Sequence, residues 1–69
     1  MDEDGEKAHQ LLAKVFSGND GRTALEWMRR VTIDRELSPA APEAELRDLE
    51  GQRRFVRRLQ HMIERGLNG

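Results

Sequence analysis

Apolar residues recur at intervals of three and four along this chain and never alternate, so its regular structure is expected to be helical throughout. Ala8, Leu11, Leu12, Val15 and Phe16 form a first stripe at the helical period. Asp2, Glu3, Asp4 and Glu6 gather near its start, where the helix dipole favours negative charge. Ser17-Gly18-Asn19-Asp20-Gly21 then breaks the pattern. Gly18 is placed to take the left-handed conformation of a helix C-terminus, and Asn19 or Asp20 to cap the next helix. That second helix is expected to end near Val31. Ala24, Leu25, Met28 and Val31 form its buried stripe, and Arg22, Glu26 and Arg29 face away. Trp27, the only tryptophan, lies at the margin of the stripe. It reads either as the anchor of the core or as a half-exposed interface residue.

Thr32 to Leu37 has no clean period, and Ser38-Pro39-Ala40-Ala41-Pro42 reads as a connector, because each proline disfavours helix in the residue before it. Pro42 suits the first position of a third helix, with Glu43 and Glu45 in its first turn. This helix is expected to be the longest and to reach about Arg65, with Gly66 at its C-terminus. Leu49, Phe55, Val56, Leu59, Met62, Ile63 and Leu67 fall in one broad arc of it. The fold class is therefore all-α: one small three-helix domain over residues 1–69, with a long C-terminal helix packing across the first two. Residues 1–7, rich in acid, read as a segment that can stay disordered.

A chain of 69 residues has little core to spend. Size scaling gives a folded surface of roughly 4,400 Å², only about 60% of the unfolded surface being buried. Hydrophobic residues are 36% of the sequence, six of them alanines, and charged residues are another 36%. A symmetric dimer sharing the third helix would relieve that shortage. There is no cysteine, which excludes disulfides, thiolate metal sites and thiol nucleophiles. The acidic N-terminus is unlike a secretory signal, and no apolar run approaches the length of a membrane span. The expectation is a chain with no membrane association.

Charge argues against generic DNA binding: twelve basic residues stand against thirteen acidic ones. Ten of the twelve cations are Arg, however, and Gln52 to Arg58 holds four of them and no acid. Arg47, Arg54, Arg58 and Arg65 project within a narrow angle on the third helix, about 80–120° from Leu46 at ~100° per residue. They make a line roughly 27 Å long at the helical rise. Such a line can be a solvated outer face balanced by Glu50 and Glu64, which is its default reading. It can also meet an acidic protein surface or, less favoured, phosphates. Interleaved aromatics of the kind that bind single strands are missing, since two of the three aromatics read as buried. Glu50-Gly51-Gln52-Arg53 is the oddest stretch, since a glycine inside a helix costs about 1 kcal/mol. Close approach by another helix would explain Gly51, and Arg53 is placed to pair with Glu50 or with a carboxylate of a neighbouring helix. His9 and His61 lack metal-ligand spacing. No nucleophile–base grouping or glycine-rich phosphate loop is present, so no catalytic residue, metal or cofactor is expected, and the protein reads as non-enzymatic.

Val15-Phe16-Ser17-Gly18-Asn19-Asp20-Gly21-Arg22, with Leu25 and the downstream Glu50-Gly51-Gln52-Arg53, resembles a family of small proteins from tailed bacteriophages and prophages, named for a member in a Bordetella podovirus. The family pairs an aromatic–Ser/Thr–turn–Gly-Arg segment with a Glu-Gly-x-Arg helix. The resemblance runs from Val15 to Ile63, and the chain departs from it in the proline-bearing connector and at Trp27-Met28. It implies a phage origin, a helical fold, a gene near virion genes and no reaction. Gly21, Arg22, Glu50, Gly51 and Arg53 carry over as positions of structural weight. The expected function is a non-enzymatic, phage-encoded helical interaction module, a minor virion-associated, internal or assembly protein located in the virion or the host cytoplasm, whose Arg line meets an acidic protein surface or packaged DNA, with Trp27 as a further binding position. The alternatives are an infection-stage regulator that binds a host or phage protein, and a weak nucleic-acid binder.

Overall fold

A computed structural model of the protein describes residues 3–68. Three helices follow in order: α1 (Glu3–Phe16), α2 (Asn19–Val31) and α3 (Glu43–Asn68). No strand occurs among the described residues. The all-α class and the long third helix stand as the periodicity indicated. Residues 3–7 form the first part of α1; Met1 and Asp2 lie outside the described residues.

The helices pair unequally. α1 packs antiparallel along α3, with His9 and Ala13 against Gly66 and Leu12 beside Leu59. α2 packs on α1 less, and on α3 least of all, so α3 does not lie across both. Among the described residues the buried apolar ones are Ala13, Leu49, Val56, Leu59 and Ile63, and α2 contributes none. The molecule measures 43 × 30 × 13 Å, which makes it little more than one helix thick. Its radius of gyration, 14.4 Å, exceeds the ~11 Å of a compact domain of this length.

Several local expectations are corrected. The face α1 turns inward is rotated toward Ala13, leaving Leu11 and Val15 exposed and Leu12 and Phe16 half-buried. The reason lies on α3: Gly66 is in phase with the apolar arc and presents bare backbone there. A Cβ on Gly66 would strike the His9 carbonyl oxygen and come within 2.8 Å of the Ala13 Cβ. Gly66 is thus a crossing point inside α3, not its terminus. Gly51, expected to admit a neighbouring helix, has open space where a Cβ would stand. Phe55 and Leu67, which the spacing puts in the apolar arc, are exposed. Ala24 is exposed too, while Leu25, Met28 and Val31 are only half-buried.

The α1–α2 junction is a close contact. Gly18 is the N-cap of α2 in an extended conformation (φ −81°, ψ 173°), not left-handed, and no side chain caps the helix. Its carbonyl accepts from the Arg22 amide at 2.9 Å. Gly21 presses on the end of α1: a Cβ there would meet the Val15 carbonyl oxygen and the Phe16 Cα. Beyond α2 the connector covers 32–42. The Ser38 carbonyl accepts from the Ala41 amide at 2.9 Å, and the Ser38 hydroxyl accepts from the Ala40 amide at 3.2 Å. Pro42 stands just before α3 rather than inside it, and its carbonyl accepts the amides of Glu45 and Leu46.

Candidate functional site

Arg53 ties the connector to α3. Its guanidinium donates from Nε to the Thr32 carbonyl at 2.9 Å, from Nη1 to Glu50 Oε1 at 2.7 Å, and from Nη2 to the Arg35 carbonyl. The planar fork of donors serves three acceptors that a lysine could not reach together. Thr32 is buried, and its hydroxyl donates to the Met28 carbonyl at 2.6 Å, closing the last turn of α2. Arg53 thus fixes the chain where it leaves α2, and Glu50, one turn away on α3, orients the guanidinium. This accounts for the spacing of Glu50 and Arg53 as architecture. Thr32 carried no signal in the sequence beyond an aperiodic stretch. The Gly66 crossing did: seven residues after Leu59 it falls within ~20° of that core position, whereas Gly51 lies ~80° from it.

The Arg line is on the opposite side of α3 from the core. Arg47, Arg54, Arg58 and Arg65 are all exposed. Arg47 holds Glu43 at 3.0 Å, with both side chains 77% exposed, a pair of small energetic weight. Among the described residues no ion pair involves Arg54, Arg58 or Arg65. Arg58 borders a hollow of about 310 Å³ formed with Leu12, Phe55 and Met62, and Arg65 lies beside Glu6 and His9. Glu50, expected to balance this face, is turned instead to Arg53. Arg22 is exposed at the start of α2.

The third feature is one the sequence did not disclose. Because α2 hardly touches α3, an open groove of about 500 Å³ lies between them. Trp27, Met28 and Val31 form one wall, Phe55 and Val56 the other, with Gly51 and Gln52 alongside. Trp27 is 58% exposed and Phe55 66%, so neither aromatic anchors the core. Asp48, at the edge of the groove, accepts from Gln52 Nε2 at 3.0 Å. No group of three or more His, Cys, Asp or Glu that could hold a metal occurs among the described residues, and no described helix is long and apolar enough to cross a membrane.

These features describe a small, flat, all-helical protein with a clamped connector and two unsatisfied surfaces, one cationic and one apolar. The chain belongs to the Bbp19-like phage proteins, whose family model matches residues 12–64. That span takes in the Gly21 contact, the Arg53 clamp, the groove and most of the Arg line. No match is found among curated proteins or among solved structures.

Proposed function

We propose that this phage protein is a non-enzymatic interaction module, acting in or alongside the virion as a minor structural, internal or assembly component, and that its Arg line meets an acidic protein surface. The carrying observation is the set Arg54, Arg58 and Arg65: exposed, aligned on the face away from the core, and in no ion pair among the described residues. Arg53, one residue from Arg54, is by contrast engaged within the fold. Guanidinium groups on a rigid helix suit carboxylates, which they bind in forked pairs. A net charge of −1 favours an acidic patch on a protein over a polyanion such as DNA, which would feel the acidic residues as well.

Mass spectrometry of purified particles tests the role, with the wild-type protein and Arg54→Glu/Arg58→Glu/Arg65→Glu expressed from the phage. The wild type is expected in the particles and the triple variant is expected to be depleted from them. Repeated absence of the wild type overturns the virion reading and turns attention to an infection-stage target. A DNA complex at low salt whose affinity falls steeply with added salt, losing about one unit of log–log slope per Arg removed, overturns the protein-surface reading.

A further inference from the structure

The groove between α2 and α3 needs an occupant, and we infer that it is a second copy of this chain, bound about a two-fold axis. This inference does not rest on the Arg line, of which Arg58 alone borders the apolar surface used here.

Surface area carries the argument. The protein exposes 5614 Å², against the roughly 4,400 Å² of a compact monomer of its mass. The excess is about 1,200 Å², while one partner's share of a stable interface is about 800 Å². The excess is thus enough to supply one full side of a dimer interface. Part of it is placed to do so: Trp27 and Phe55, both large, apolar and exposed, stand on opposite walls of a single groove. Leu12 and Met62 extend the apolar surface past Phe55.

A two-fold interface must be self-complementary, each residue meeting across the axis a residue that it is met by in turn. This groove has both halves of such a match. Phe55 projects from the α3 wall, and the space over Gly51 is open, with nothing within 4 Å of where its Cβ would lie. Phe55 of each copy can enter the groove of the other and stack against Trp27 there, an arrangement aromatic rings favour. A buried apolar pair at the middle of an interface, with polar groups such as Asp48 and Gln52 at the edge, is the usual anatomy of a stable contact. The chain has no cysteine, and the described residues include five buried apolar ones; a second copy is one of the devices that stabilise natural domains this small.

Light scattering on a sizing column tests this with the full chain over a wide dilution series. The wild type is expected at twice the 8.0 kDa chain mass, dissociating on dilution with a red shift of Trp27 emission. Phe55→Glu, at an exposed position, is expected to weaken self-association at least ~30-fold while keeping the helical circular dichroism. Gly51→Arg, which fills the groove without removing a contact, should do the same. A wild type of single-chain mass at every concentration overturns the inference and leaves the groove to another protein. So does a dimer that both variants leave equally tight, since the interface then lies elsewhere. If the variants unfold, the melting temperature of the wild type decides: a rise with concentration supports the dimer, and a constant value overturns it.

Discussion

Removing the Arg53 guanidinium should cost this protein most of its stability. In Arg53→Ala the Thr32 carbonyl, at the buried end of α2, loses a charge-assisted donor at 2.9 Å, worth about 1.5–2 kcal/mol. The exposed Arg35 carbonyl recovers water and forfeits about 0.5–1 kcal/mol. The Glu50 pair, one side of which is 45% exposed, adds about 0.5 kcal/mol. The expected loss is about 3 kcal/mol, against a total of ~3–5 kcal/mol for a domain of this size. At ~4–8 °C per kcal/mol the melting temperature should fall by roughly 12–24 °C. Arg53→Lys keeps the charge but reaches one acceptor, so it should recover no more than half. Glu50→Gln, which removes only the orienting carboxylate, should cost under ~1 kcal/mol. Urea unfolding followed by circular dichroism separates the three. An Arg53→Ala midpoint within about 0.5 kcal/mol of wild type would refute the clamp as a source of stability.

Gly66→Ala gains about 1 kcal/mol of helix propensity, yet it drives a methyl into the His9 backbone at a cost of about 1–3 kcal/mol, so thermal unfolding should show a net loss of up to ~2 kcal/mol. Gly21→Ala should lose as much through its collision with Val15 and Phe16. Gly18→Ser should go the other way, gaining a few tenths of a kcal/mol by capping α2 in an extended conformation serine readily adopts. Thr32→Val keeps the shape and deletes the bond to the Met28 carbonyl, with an expected loss of about 1 kcal/mol by urea midpoint.

Period and punctuation carried the architecture. The break at Ser17–Gly21, the connector around Pro39 and Pro42, and the extent of α2 were all legible, because each rests on local backbone chemistry. What each helix buries was less so. A stripe of apolar residues marks a face, but which half of a broad stripe turns inward depends on the neighbour. Here Gly66 draws α1 in at Ala13, and Leu11, Val15 and Phe55 stay outside. Gly66 rather than Gly51 is where another helix comes close, for the same reason: the sequence of one helix does not say where a second backbone passes. The Arg line was legible from angle alone. The groove was not: it exists because α2 is held at its ends and stands off α3 between them, a property of three elements together.

That manner of holding bears on how the chain reaches its fold. The helices that share the core are the first and the last, with α2 and the connector making up the loop between them. The packing that stabilises the structure therefore cannot form early from neighbours in sequence, as it does in a simple helical hairpin. Loop closure must come first, at an entropic cost that the α1–α3 core offsets only once it has formed. Folding should be slow for an all-helical protein of this length. In the native state α2, with no buried residue of its own, should open as a unit while α1 and α3 stay protected, its amides exchanging well before those of α3.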